Sequence, residues 1–310
     1  MLVTNPPVEL ADGLFMLGLA EYPLYLYRGE GDATIFEGGV GAVAPLVLAQ
    51  LDDLGVARDS VTRLVITHAH PDHVMAVPAL RRALPKLRVL ASAAAARTLA
   101  NDKAMAFFAQ IDAALGASLA RLGRVSAEQG AEPAPPPAAI AADGIVGEGD
   151  SIDAGGGAFD VLATPGHSEC SLSFHQAQAG LLLISDAAGY YFPEHDFWWP
   201  NYFADYGAYL ASMRRLAGLD AGVLCLSHNA AVRGADAVRA CFEAAIAAAE
   251  AYHGRIVEAV RSGTPPRRLG EQLGAEVFAR TQLLDLAFFQ KNCYLMVKLS
   301  CRHAGLPPEK

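Results

Sequence analysis

This sequence has few cysteines, few basic residues and no long apolar run, and each shortage argues against a class of protein. Five cysteines are scattered through 310 residues without a CxxC pair. A disulfide framework needs a dense, even set of cysteines, so free thiols in a reducing compartment fit this pattern better. We therefore expect a cytoplasmic protein. The five residues are Cys170, Cys225, Cys241, Cys293 and Cys301.

Basic residues are in the minority, with 24 Lys and Arg against 33 Asp and Glu and a formal net charge of -9. Proteins that bind nucleic acid present a basic face to the phosphates, so we expect no nucleic-acid partner. No apolar segment approaches the ~20 residues of a membrane span. The first residues, MLVTNPPVELADG, also lack the basic and apolar regions of a signal peptide. We therefore expect no signal peptide and no membrane association.

The order of strand and helix patterns predicts one α/β domain with a helical extension. Apolar β-branched runs such as VTRLVIT alternate with helical patterns such as APLVLAQLDDLG over residues 1–240. Within this range, an amphipathic pattern at about 103–125 predicts a helical insert, and the Pro/Ala-rich stretch at 128–143 predicts a loop. Residues 241–310 have helical patterns, so we expect a C-terminal extension packed on the same domain.

Histidine is also scarce, yet three of the nine histidines fall within the short stretch HAHPDH. His68, His70, Asp72 and His73 directly follow the apolar run VTRLVIT, which is typical of a buried strand. Imidazole nitrogens and carboxylates are ligands that suit zinc, iron or manganese. Four such groups in six residues are too many for one tetrahedral ion, so the pattern predicts two neighbouring metals. The alternative is a polar surface loop with chance histidines.

Three further residues of ligand type each follow an apolar strand pattern. His167 lies in TPGHS, Asp186 ends LLLISD and His228 lies in VLCLSHNA. An isolated carboxylate at the end of a buried strand is costly unless it has a partner, so Asp186 in particular favours a metal site. The other four histidines lack this context, and we expect them to be exposed or hydrogen-bonded: His175, His195, His253 and His303.

The motifs THAHPDH, TPGHS, ISDAAG and LSHNA, in this order, resemble those of the metallo-β-lactamase fold superfamily of binuclear hydrolases. The resemblance covers about residues 10–235. The early segment ATIFEGGVG is similar to the family's second-strand element, with Glu37 where an aspartate is usual. The resemblance implies an α/β fold of four layers, an αβ/βα sandwich followed here by the C-terminal helical extension. It also implies two divalent metal ions, with zinc as the first expectation and iron or manganese as alternatives.

Carried over by position, the resemblance also implies a ligand set and a reaction. One ion would be held by His68, His70 and His167, the other by Asp72, His73 and His228, and Asp186 would bridge them. A water shared by two such ions is held as hydroxide near neutral pH and attacks a carbonyl. Asp72 can also accept a hydrogen bond from this nucleophile, so we expect it to be the catalytic proton shuttle.

Within the family, the chain is similar in layout to the thioesterases of quinolone-signal biosynthesis and response. This similarity implies hydrolysis of an acyl or aroylacetyl coenzyme A thioester. One departure is Tyr190, which stands where those relatives have a glutamate. The segment from Tyr190 to Tyr209 holds ten of the chain's 25 aromatic residues, and aromatic walls favour a flat or apolar acyl group. We therefore expect Tyr190, Trp198 and Trp199 to bind substrate, with ordinary core packing or a dimer contact as the alternative.

Other functions stay open at this point. A lactone or ester hydrolase is the main enzymatic alternative, because an alkoxide leaving group benefits from an acid such as Tyr190. Glutathione thioester hydrolysis is another, although the sequence has no identifiable basic cluster for glutathione. A regulatory or partner-binding protein in which hydrolysis is secondary is the alternative of a different class, because fold alone does not establish function. The oligomeric state, including a homodimer, is also open.

Overall fold

The computed structural model describes residues 1–131 and 139–307. The centre of the Pro/Ala-rich loop predicted at 128–143 therefore lies outside the described residues. The described chain divides into two compact units. The first unit consists of Met1–Ala163, Cys170–Ser185 and Asp220–Val238, and the second of Thr164–Glu169, Asp186–Leu219 and the residues from Arg239 onward.

The strands of the described residues are short, and most belong to the first unit. In chain order they are β1 (Leu2–Val3), β2 (Val8–Ala11), β3 (Leu14–Gly18), β4 (Pro23–Arg28), β5 (Ala33–Phe36), β6 (Val61–Val65), β7 (Arg88–Ala91), β8 (Gly144–Ile145), β9 (Ser151–Asp153), β10 (Ala158–Ala163), β11 (Leu172–Gln176), β12 (Leu181–Ser185), β13 (Tyr190–Phe192), β14 (Phe197–Trp199), β15 (Val223–Leu226) and β16 (Ala231–Arg233).

The α-helices lie between the strands and at the C-terminal end of the chain. They are α1 (Ala44–Asp53), α2 (Val77–Ala83), α3 (Ala93–Leu99), α4 (Asp102–Arg121), α5 (Ala127–Ala131), α6 (Tyr206–Ala217), α7 (Ala235–Arg261), α8 (Pro266–Thr281) and α9 (Leu286–His303). Among the described residues, no helix is long and apolar enough to cross a membrane.

The first unit contains two seven-stranded mixed sheets. The first sheet has the order β1-β16-β15-β12-β11-β10-β9, and the second has the order β2-β3-β4-β5-β6-β7-β8. In the first sheet β12 and β15 are parallel, whereas the other neighbours are antiparallel. In the second sheet β5, β6, β7 and β8 run parallel to one another. Parallel strands end at the same edge of a sheet, so the segments that follow them begin close together.

The core of the first unit lies between the facing sides of its two sheets. Alternate residues of paired strands point into it, as expected for the period-two geometry of a strand. Phe36 of the second sheet meets Phe159 and Phe174 of the first, with ring centroids 4.9 and 5.1 Å apart. All three side chains are fully buried. Burial of such aromatic side chains is the main apolar stabilisation of a sandwich.

Helix α1 covers the other side of the second sheet. The side-chain amide of its Gln50 pairs with the backbone of Gly18 in both directions, with N···O distances of 2.6 and 3.2 Å. The strands β3 and β4 are buried along nearly their whole length, as expected for strands covered on both faces.

The second unit contains the β13–β14 hairpin and the helices α6, α8 and α9, together with most of α7. Helices α8 and α9 approach each other through glycines: a β-carbon at Gly270 would lie 2.6 Å from the Cα of Tyr294, and one at Gly274 would lie 2.4 Å from the Cα of Gln290. The predicted α/β sandwich fold with C-terminal helices is confirmed.

Asp112 of α4 is a buried carboxyl group that holds the loop after β5. Its Oδ1 accepts a hydrogen bond of 2.7 Å from the amide of Gly41. Burial raises the pKa of Asp112 to about 6, and the hydrogen bond from Gly41 only partly opposes this rise. The charge of Asp72 raises the pKa further. The folded chain therefore binds this proton more tightly than the unfolded chain, in which the pKa is near 3.8.

This difference predicts a pH-dependent gain in stability for Asp112→Asn. The wild-type free energy of unfolding should fall by up to about 3 kcal/mol as the pH rises from about 4 to about 6. Above pH 6 this contribution should stay level. Asparagine keeps an acceptor for Gly41 but has no charge, so thermal unfolding of metal-free protein should show a variant more stable than wild type at pH 7.5. At pH 4 the two should unfold together. A difference that is the same at both pH values would contradict this prediction.

Candidate metal centre

All seven predicted ligands lie just beyond the C-terminal end of a strand. The segment after β6 carries His68 and His70 and then a 3-10 turn, Pro71–His73. Asp186 begins a second 3-10 turn directly after β12, and His228 lies two residues beyond β15. His167 lies four residues beyond β10. The strand-end positions expected from the sequence are therefore correct.

Asp72, His73 and His228 of the first unit converge on one point. The Oδ2 atom of Asp72 lies 3.5 Å from Nε2 of His73 and 3.7 Å from Nε2 of His228. One donor atom from each residue lies within 4.8 Å of the others. Nitrogen and oxygen ligands at ~2.1 Å from a tetrahedral zinc ion are about 3.4 Å apart. The spacing therefore suits a metal ion.

The tautomers of the two histidines support the same interpretation. Nδ1 of His228 donates to the carbonyl oxygen of Glu21 at 2.8 Å, and Nδ1 of His73 donates to the Glu37 carboxylate at 2.7 Å. With its proton on Nδ1, each neutral ring turns the Nε2 lone pair toward Asp72. Lone pairs facing a carboxylate repel it unless a cation lies between them. The donor set therefore fits a divalent ion.

Glu37 is the residue that orients His73. It is 3% exposed, and its Oε2 accepts hydrogen bonds both from His73 and, at 2.9 Å, from the hydroxyl of Thr67. Its backbone has a φ of 78°, in the left-handed region that side chains other than glycine avoid. Backbone strain of this kind concentrates at functional sites.

His68 and His70 form a second close pair in the first unit. Nε2 of His68 lies 3.0 Å from Nδ1 of His70. Nδ1 of His68 is 3.2 Å from both the Thr67 and Ser185 hydroxyl oxygens, which hold the ring from behind. The two facing nitrogens are at the spacing of adjacent ligands on one ion.

His167 and Asp186 form the corresponding pair of the second unit. Nε2 of His167 lies 3.1 Å from Oδ2 of Asp186, and both side chains are buried. Nδ1 of His167 donates to the carbonyl oxygen of Asn201 at 2.6 Å, which again directs Nε2 toward the carboxylate. The structure thus gathers five of the seven predicted ligands in the first unit and the other two in the second.

The predicted substrate-binding aromatics lie in the β13–β14 hairpin of the second unit. Tyr190 stacks on Phe192, with ring centroids 4.6 Å apart, whereas Trp198 contacts Tyr191 on the opposite face of the hairpin. Trp199 packs edge-on against Phe289 of α9. Tyr190, Trp198 and Trp199 are all at most 8% exposed. Their role in substrate binding stays a prediction.

The sequence did not indicate the groups behind the ligands. The carbonyl oxygens of Glu21 and Asn201 belong to the backbone, so no residue type marks them. The hydroxyls of Thr67 and Ser185 were also missed, although each directly precedes a ligand residue. That adjacency is the only signal that could have found them.

Comparison with known proteins places most of the chain in one family. Residues 23–228 match the model of the metallo-beta-lactamase superfamily. A curated relative, a hydroxyacylglutathione hydrolase of Stenotrophomonas maltophilia (strain R551-3), is 28% identical over 218 residues. That match covers 69% of this chain and 63% of the relative, so the chain spans less than two thirds of the relative's length.

Solved structures agree at the level of the fold. A metallo-beta-lactamase family protein from Thermus thermophilus has a TM-score of 0.65 at 23% identity, with 97% of this chain and 98% of that chain covered. An archaeal superfamily protein from Sulfolobus tokodaii has a TM-score of 0.56 at 23% identity, with coverages of 76% and 85%. At such identities the likeness concerns the fold alone.

Proposed function

Because this chain belongs to the metallo-β-lactamase superfamily, we propose that it is a thioester hydrolase with a centre of two divalent metal ions. The observation that carries the proposal is the convergence of Asp72, His73 and His228, with both rings held in the tautomer that binds metal. The family match and this cluster make the chain a superfamily hydrolase with a site that suits a metal ion.

The proposed ligand set follows the sequence motifs. Asp72, His73 and His228 would hold one ion, and His68, His70 and His167 would hold the other, with Asp186 as a further ligand shared by both. The close pairs within each unit support this assignment, because each brings two donor atoms to about 3 Å of each other. All seven residues also lie within the range that matches the family model. Zinc suits the mixed nitrogen and oxygen ligands, and iron or manganese are alternatives.

Bound divalent ions lower the pKa of a water and polarise a carbonyl, which is the chemistry that hydrolysis needs. The chain's own residues contribute orientation and proton transfer. Three acceptors orient the histidine rings through hydrogen bonds to Nδ1: Glu37 for His73, and the carbonyl oxygens of Glu21 and Asn201 for His228 and His167. Asp72 is one of two partly exposed residues of the proposed ligand set, with 24% of its side chain accessible, and His70 is the other. Asp72 can therefore exchange a proton with substrate or solvent, which supports its role as the shuttle.

The proposal of a thioester substrate is supported by one curated relative and by the resemblance seen in the sequence. The curated relative is named for a glutathione thioester, and the layout is similar to thioesterases acting on coenzyme A. A thiolate leaves without protonation, so the reaction needs no separate general acid. The two thiol carriers, glutathione and coenzyme A, are alternatives within one chemistry, and a panel of substrates can separate them.

The test is hydrolysis of a panel by purified protein whose metal content has been measured. The panel contains S-acyl glutathiones, alkyl- and aroyl-coenzyme A thioesters, matched oxygen esters and lactones. We expect about two ions per chain and turnover selective for thioesters. His70→Ala should abolish the turnover and lower the metal content toward one ion per chain, whereas His195→Ala, whose histidine is exposed and outside the ligand set, should change neither. Turnover confined to lactones or esters would replace the thioesterase proposal. Bound metal without turnover would favour a regulatory or binding function.

A further inference from the structure

Tyr209 of α6 lies against both ligand-bearing turns of the second unit. A β-carbon at Gly166, next to His167, would lie 2.2 Å from the Cα of Tyr209. One at Gly189, which follows the Asp186–Ala188 turn, would lie 2.8 Å from the Tyr209 hydroxyl oxygen. Both turns therefore carry a glycine where they contact this tyrosine. Gly166 faces the backbone of Tyr209, and Gly189 faces its hydroxyl.

The turn that carries His167 is held without the Tyr209 hydroxyl. The carbonyl oxygen of Gly166 accepts hydrogen bonds from the amides of Ala204 and Asp205 at 3.0 and 3.1 Å. The hydroxyl of Ser212 donates to the carbonyl oxygen of Pro165 at 2.8 Å. These bonds anchor the turn to α6 and to the two residues just before it. The Tyr209 hydroxyl therefore has no part in anchoring it.

The hydroxyl is nevertheless buried, and among the described residues it has no hydrogen-bond partner. Tyr209 is fully inaccessible to solvent, and burying a polar group without a partner costs free energy. Phenylalanine would fill the same space without that cost. The retained oxygen therefore indicates a role beyond packing. Asp186 is the carboxylate whose charge acts on it, since this charge, after burial, raises the pKa of Tyr209.

We propose that Tyr209 is a positioning residue for Asp186: its buried hydroxyl, which lies against Gly189 and has no hydrogen-bond partner among the described residues, is the polar group that sets the orientation of the Asp186 turn. The inference rests on the proposed function, because it assumes that Asp186 is a metal ligand. A neutral phenol is polar but adds no charge to the site. Groups that orient ligands in this way typically change metal affinity 10–100-fold when removed.

The test compares Tyr209→Phe with Tyr202→Phe, a matched loss of a buried hydroxyl in the same unit. The Tyr202 hydroxyl is 2.6 Å from that of Ser300 and is purely structural in this interpretation. Metal affinity is measured by chelator competition, and the visible spectrum is recorded after substitution with Co²⁺. For Tyr209→Phe we expect about tenfold weaker binding and an altered Co²⁺ spectrum, with a metal-free thermal midpoint no lower than wild type. For Tyr202→Phe we expect a lower midpoint and unchanged metal binding.

The outcomes separate the two proposals. Wild-type protein that binds no metal would overturn the proposed function itself, whatever the variants do. Wild-type protein that binds metal, together with a Tyr209→Phe variant of unchanged affinity and unchanged Co²⁺ spectrum, would overturn the positioning role alone. A lower metal-free midpoint for Tyr209→Phe would also count against it, because it would show that the hydroxyl stabilises the fold.

Discussion

Asp72→Asn is expected to lower kcat/KM for the preferred thioester about 10³-fold, the largest effect of any single substitution considered. Asparagine has nearly the same shape, but it has no negative charge to bind a cation and cannot accept a proton at neutral pH. Loss of a positioned proton-transfer group alone costs about 10²–10⁴-fold. Because Asp72 also faces the Nε2 atoms of His73 and His228, its loss should reduce the metal content toward one ion per chain.

The measurement pairs steady-state kinetics with metal analysis of the same preparation. Asp59→Asn is the matched control, because that aspartate is exposed and forms a surface ion pair with Lys86. Restoring the metal with excess zinc should recover little activity if the carboxylate also transfers a proton. Full recovery of activity with zinc would show that Asp72 acts only as a metal ligand. If the variant is fully active without added metal, Asp72 is not part of the site.

Glu37→Gln is expected to weaken metal binding about 10–100-fold while leaving the fold intact. The carboxylate accepts from Nδ1 of His73 and from the Thr67 hydroxyl. A neutral amide accepts more weakly, so His73 becomes a poorer ligand. Glutamine has the same backbone preference as glutamate at a φ of 78°. The substitution therefore adds no strain of its own.

Chelator competition measures this effect, and Glu37→Asp provides a graded comparison. Aspartate keeps the charge, but its side chain is one methylene shorter and reaches His73 less well, so its affinity should fall between those of wild type and Glu37→Gln. Glu194→Gln, at an exposed position of the second unit, should bind metal like wild type. Equal affinities for wild type and Glu37→Gln would show that Thr67 and the backbone hold His73 without the carboxylate.

The sequence predicted the fold class and the strand-end positions of the ligand residues because both depend on local patterns. The run VTRLVIT reads as a buried strand from its own residues, and HAHPDH follows it directly. An apolar strand pattern followed within a few residues by a histidine or an aspartate is the signal at each of these positions. Such positions can be predicted without knowing how the rest of the chain folds.

Other features depend on contacts between distant residues, so the sequence did not reveal them. The hairpin of β13 and β14 lies in a segment so rich in aromatics that alternation along each strand is hidden. The Asn201 carbonyl oxygen behind His167 comes from 34 residues away. The Tyr209 hydroxyl has no sequence signal, because it follows from where α6 lies against Gly166 and Gly189.

None of the seven proposed ligand residues lies within a strand, and this arrangement has a consequence for engineering. Side chains between the two sheets contribute most of the packing that stabilises the first unit, whereas the segments just past the strands carry the proposed metal ligands. Mutational libraries confined to those segments should therefore explore new substrates with little loss of folded protein. The converse also holds: repacking around Phe36, Phe159 and Phe174 offers a way to gain heat tolerance without altering which bond is cleaved.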